Sequence, residues 1–266
     1  MPARPSENEL PLPPPLRAYT LISTSGSSPR NLSIISESSN SEIYTISIER
    51  TIEKELDCSI MMCSPSSRQP IIGIVRMEGD CDTFDMALGS SEEFSRHESC
   101  VREYMYVGHD LNTTTHEFSV GLGDEMRRHF VWHPDEVKHN WYTTLFRGGG
   151  HSWDISKLLH SLPGMHGNAT EKKNGSATTV HDEQGRHLRR RCYKLIDRNA
   201  GEIVAIFMCH MDLVHGEIVN SDDTDIDIEG KFVIFRDFWE SGKYEERWDK
   251  VVLLSGVTVL ERADWG

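Results

Sequence analysis

One stretch near the end of the chain limits the fold more than any other. Glu245–Asp264 reads EERWDKVVLLSGVTVLERAD. Val251, Val252, Leu253 and Leu254 run together, and Val257, Val259 and Leu260 follow a short Ser255-Gly256 interruption. Charged residues bracket the run on both sides. A helix that is apolar around most of its circumference has to be buried on most sides. A membrane span needs about 20 apolar residues, and this run is far shorter, so protein must enclose it. The preceding chain reads as many short strands. The expectation is therefore an all-β fold with a central helix, a sheet wrapped around the C-terminal segment.

The strand signals are period-two alternation and β-branched residues between turn clusters. Ile43–Ile48 places Ile43, Thr45 and Ser47 on one face and Tyr44, Ile46 and Ile48 on the other. The same signal predicts strands over Tyr19–Ser23, Asn31–Ser36, Ser59–Cys63, Pro70–Met77, Asp82–Leu88, Val101–Val107, Glu117–Leu122, Met126–Trp132 and Trp141–Phe146. Further on, Arg190–Ile196 and Glu202–Met208 flank Asp197-Arg198-Asn199-Ala200-Gly201, which has the composition of a hairpin turn. Lys231–Phe235 is the last strand expected before the helix. Residues 1–17 are a Pro-rich polar lead, expected to be disordered or extended as polyproline II. Residues 148–187, opened by three glycines, read as a mobile insertion with a short helical turn at Ile155–Leu162. One domain, 18–264, holds the rest.

Composition narrows the function classes. A formal charge of -14 over 266 residues argues against a general nucleic-acid binder, which needs positive charge to neutralise phosphates. Met1–Leu16 lacks the basic start and apolar core of a secretory signal. Six cysteines without a CxxC pair are too sparse for a disulfide framework in a chain this long. A cytoplasmic or nuclear protein is expected, with its Asn31, Asn112, Asn168 and Asn174 sequons unused. No transmembrane span is expected.

The order of features is also distinctive. A Tyr-Lys-Leu-Ile-Asp strand, a turn, Gly-Glu-Ile-Val-Ala-Ile-Phe, a variable loop, Gly-Lys-Phe-Val-Ile-Phe and a Trp-x-x-Val-Val-Leu-Leu-Ser-Gly-Val helix follow one another. This order resembles the tubby C-terminal-like superfamily, in particular its fungal members near the LURP-one-related proteins. The match covers Tyr193–Leu260, with a weaker strand pattern back to Tyr19. The resemblance implies a closed β-barrel of about twelve strands around a hydrophobic C-terminal helix. Since one fold hosts unrelated functions, the resemblance implies a range: phosphoinositide-binding domains and phospholipid scramblases.

Two constellations could carry binding chemistry. Arg189-Arg190-Arg191 follows Arg186 and His187, and Arg127-Arg128-His129 forms a second basic cluster. Clustered arginines hold phosphate through bidentate hydrogen bonds, which points to an anionic headgroup. Solvated strand starts are the competing explanation. A strand alternates faces, so Arg189 and Arg191 would act as the working pair. The acidic stretch Asn220–Glu229 contains Asp223, Asp225 and Asp227 in a D-x-D-x-D start, a candidate divalent-metal site. An EF-hand would continue with Gly and end on an acidic twelfth residue; Ile228 and Ile234 stand there instead.

Catalytic motifs are missing. No HExxH, zinc-type Cys/His spacing, Walker A or G-x-S-x-G occurs, and Cys209-His210 implies no partner residue. Trp132, His133 and Trp141 read as core or rim residues. The expectation is a non-enzymatic binding or adaptor module without a cofactor, peripheral to a membrane if its ligand is an anionic phospholipid, with a protein partner as the other candidate. A scramblase-like protein with a divalent-responsive acidic loop is the alternative.

Overall fold

The computed structural model describes residues 12–24, 30–50, 58–65, 70–77, 82–89, 101–110, 113–121, 127–136, 191–209, 226–238 and 245–263. Twelve strands form one closed barrel. They are β1 (Arg17–Thr24), β2 (Arg30–Ser36), β3 (Ser41–Arg50), β4 (Cys58–Cys63), β5 (Ile71–Met77) and β6 (Thr83–Leu88). The second half comprises β7 (Val101–Asp110), β8 (Thr113–Gly121), β9 (Arg127–Glu136), β10 (Arg191–Asp197), β11 (Glu202–Cys209) and β12 (Ile226–Ile234). A helix, α1 (Glu245–Ala263), ends the described chain. Each strand pairs with its sequence neighbours, and β1 closes the ring against β12. The strand expected at Trp141–Phe146, the helical turn at Ile155–Leu162 and the insertion 148–187 lie outside the described residues.

Alternation puts apolar side chains inside. In β4, Cys58, Ile60 and Met62 are buried while the residues between them are not. Phe84, Met86 and Leu88 do the same in β6, and His116, Phe118 and Val120 in β8. Turn chemistry closes the hairpins. The Asp197 carboxylate accepts from the backbone N–H of Asn199 at 2.9 Å, and Gly201 takes φ +68° after it, a left-handed conformation that glycine adopts without a steric penalty.

A barrel of eight strands is just wide enough for side chains to fill. Twelve strands leave a wider lumen, and α1 occupies it. Nineteen residues make a helix about 28 Å long, comparable to the strands. Every residue from Val251 to Glu261 is buried, on all faces of the helix. The interruption in the apolar run now has a reason. Ser255 accepts a hydrogen bond from the Trp132 indole at 2.9 Å. Gly256 lets the Phe232 ring approach: a Cβ there would lie 2.3 Å from Phe232 Cε1.

Two departures from the sequence reading bear on function. Part of the Pro-rich lead is placed on the barrel. Leu12 packs against an outer apolar cluster with Ile206 and Val233, the Leu16 N–H bonds to the Ile234 carbonyl at 2.8 Å, and Arg17 already belongs to β1. The acidic loop also ends sooner than expected, because Ile226–Ile228 pair with β1 as the first residues of β12 and Glu229 follows as a bulge before Gly230. The alternation of Ile226 and Ile228 with Asp227 and Glu229 is itself a strand pattern, overlooked beside the charge density.

Candidate functional site

Antiparallel order throughout gives the barrel two rims. Odd-numbered strands begin at one, here the basal rim, and end at the other, the upper rim. The helix follows β12, which ends at the basal rim, so α1 enters there and its C-terminus emerges at the upper rim.

Register sorts the candidate residues between these ends. Arg127 and Arg128 open β9 at the basal rim, across from the ends of β8 and β10. Arg191 opens β10 at the upper rim, in register with Glu136. Asp227 lies near the start of β12, also at the upper rim, in register with Ser23. Arg189, Asp223 and Asp225 are outside the described residues. Arg191 therefore stands at the opposite end of the barrel from Arg127 and Arg128. Arg191 on β10 and Asp227 on β12 stand at the same rim with only β11 between their strands, about 10 Å apart in backbone at ordinary strand spacing.

At the basal rim the arginines have intramolecular partners. Arg127 pairs with the carboxylate of Glu103, which is buried, and also reaches Ser119. Arg128 pairs with buried Asp197 at 2.9 Å, and its guanidinium lies 4.8 Å from the centre of the Phe238 ring. Phe238, Phe130 and Trp248 pack edge-on or tilted at 4.9–5.2 Å beneath it. Arg128 thus covers an aromatic plug while neutralising the hairpin aspartate. Nearby, Arg17 bridges Asp237 and Asp249, each at 2.8 Å, and the Tyr19 hydroxyl donates to Asp249. Burial, reinforced by Asp249, pushes the Tyr19 phenol far above its usual range.

The upper rim also carries buried titratable groups. Glu261 is in the last turn of α1, where the helix dipole disfavours an anion. Two guanidiniums offset this: Arg30 at 2.6 Å and Arg50 at 2.7 Å. Arg30 also reaches Glu229 of β12 at 2.7 Å, tying helix, β2, β3 and β12 together. His116 points inward from β8, stacked near Phe84 with ring centroids 6.3 Å apart. Neither of its ring nitrogens has a hydrogen-bond partner among the described residues. Burial, then the charges of Arg262 and His109, push its pKa down to about 4, so the ring is neutral at pH 7.

Two buried cysteines, Cys58 and Cys192, are poor candidates for a reactive thiol. Burial raises Cys58 to about 11, helped by Glu261 and partly offset by Arg50. Burial and Asp135 raise Cys192 to about 12, against Lys194. A protonated thiol is a poor nucleophile. Among the described residues no three His, Cys, Asp or Glu side chains are grouped to hold a metal ion. No described helix is long and apolar enough to cross a membrane.

Sequence reasoning passed over Arg30, Arg50, Glu261 and the Arg17–Asp237–Asp249 group, whose partners lie far apart in the chain. His116 was legible in principle: alternation puts it on the face of Phe118 and Val120. Compared with known proteins, the chain matches no family model, no curated protein and no solved structure.

Proposed function

We propose that this chain is a tubby-like, non-enzymatic binding module that recognises an anionic phospholipid headgroup through Arg189 and Arg191. The observation that carries it is the position of Arg191. It is the first residue of β10, in register with Glu136, so the arginine run leads directly into a strand of a closed barrel. A rigid element presents charged side chains more sharply than a free loop does. The helix-filled lumen also favours a ligand held at a rim or on the outer wall. Arg127 and Arg128 contribute less to this reading, because they already hold Glu103 and Asp197.

Electrostatics makes the proposal testable. The chain carries a net charge of -14 and is repelled as a whole by an anionic surface. Attraction must come from a local cluster, and each basic residue near such a surface contributes about 1 kcal/mol. The pair therefore supplies about 2 kcal/mol, roughly thirtyfold in affinity. The assay is pelleting with phosphoinositide liposomes at low and physiological salt, comparing the native chain with Arg189→Glu/Arg191→Glu. Salt-sensitive binding lost in a folded double variant is the expected result. Equal binding by the variant rejects the site, and no binding by the native chain shifts the function to a protein partner.

A further inference from the structure

A second surface stands apart from the headgroup reading, at the point where the chain joins the barrel. Residues 12–17 read Leu-Pro-Pro-Pro-Leu-Arg. Pro13, Pro14, Pro15 and Leu16 are all exposed, and Leu16, at 52%, is among the most exposed large apolar side chains described. Both ends of this short run are anchored. Leu12 packs on the outer apolar cluster of Ile206, Met208 and Val233. The Leu16 N–H bonds to Ile234, and Arg17 is clamped between Asp237 and Asp249.

The conformation between the anchors follows from the residues. Proline locks φ near -65° and biases the residue before it to extended backbone, so consecutive prolines adopt polyproline II. That helix has three residues per turn and rises about 3.1 Å per residue. Pro13 and Leu16 then share one edge and Pro14 takes the next, while Pro15 falls on the edge of Leu12 and is exposed where Leu12 is partly covered. Four residues make a ridge about 12 Å long. Its ordering cost is met by the proline rings and by the fold, which is what gives such ridges affinity.

From this we infer that Pro13–Leu16 is a docking ridge for a partner protein with a groove lined by aromatic rings. Such a groove takes proline rings and a flanking apolar side chain between its rings. The partner reads prolines and leucine without needing a basic flanking residue, since Arg17 is committed to two carboxylates. A WW domain is a groove of this kind and serves as the probe.

The experiment titrates the full chain into a panel of purified WW domains with different proline preferences and follows groove tryptophan fluorescence. Melting temperature serves as the folding control. At least one domain should bind the native chain. Pro13→Ala/Pro14→Ala/Pro15→Ala should weaken that binding by about tenfold or more, and Leu16→Ser should weaken it with the prolines intact. Arg189→Glu/Arg191→Glu should leave it unchanged, which separates this surface from the headgroup site. No binding across the panel, or equal binding by native chain and folded proline variant, overturns the inference.

Discussion

Gly256→Ala tests how tightly the lumen is packed. Alanine is the better helix former, so in an exposed helix interior the change would stabilise by about 1 kcal/mol. Here the new methyl would lie 2.3 Å from Phe232 Cε1, 2.9 Å from Cζ and 3.4 Å from Trp132 Cζ2. Carbon atoms pack at about 3.5–4.0 Å, so the ring must retreat by about 1 Å. Its retreat is blocked. Phe232 is stacked on Phe207 with centroids 4.1 Å apart and planes 9° from parallel. Phe207 in turn lies close over Gly230, where a Cβ would sit 2.6 Å from its ring. Overpacking costs typically 1–3 kcal/mol, and a doubly confined ring belongs at the upper end. Set against the propensity gain, a net loss of about 2 kcal/mol remains. At 2–4 °C per kcal/mol for a domain of this size, Tm should fall by roughly 4–8 °C. Thermal unfolding of Gly256→Ala, Phe232→Leu and the double variant forms a mutant cycle. The double variant should be more stable than the sum of the two losses, because the smaller side chain yields to the methyl. Gly121→Ala, where a Cβ meets nothing within 4 Å, is the control. A higher Tm for Gly256→Ala would refute the packing account, since helix propensity would then have won.

Two further outcomes follow from buried groups. Leu253 is fully buried in the lumen, and Leu253→Asp would place an unpaired carboxylate there at a cost of several kcal/mol; the variant should not fold, and a soluble, cooperatively melting protein would contradict the enclosed helix. His116 titrates near 4 in the fold against about 6.5 in an unfolded chain. Its folded pKa is depressed, so its contribution is complete above about pH 6.5 and is lost progressively as pH falls towards 4, up to about 3 kcal/mol. Denaturant melts of native chain and His116→Phe between pH 7 and pH 4 should show a shallower acid loss in the variant, and parallel profiles would rule His116 out as the source.

Much of the architecture was legible locally, because strand and helix periods are local properties. Ile46 and Ile48, Phe84 and Met86, and the run from Val251 to Leu260 each declare a buried face or a buried element within a few residues. The Asp197–Gly201 turn was legible for the same reason, since its hydrogen bonds close within the segment itself. Charge was read poorly, because an ion pair is set by through-space distance. Arg127 and Arg128 look like a free basic cluster in the sequence. Their carboxylates, Glu103 and Asp197, stand 24 and 69 residues away and meet them only across the rolled sheet. Arg30 and Arg50 reach Glu261 across 231 and 211 residues. Composition could mark Gly256 as a break in an apolar run, but only the Phe232 ring facing it explains why glycine stands there. Local periodicity alone marks which of these segments become strands and which becomes the enclosed helix. Closure of the barrel alone sets the pairing of β1 with β12, the placement of Arg191 at the rim opposite Arg127 and Arg128, and which charges are already neutralised, because each depends on residues that only the closed barrel brings within reach.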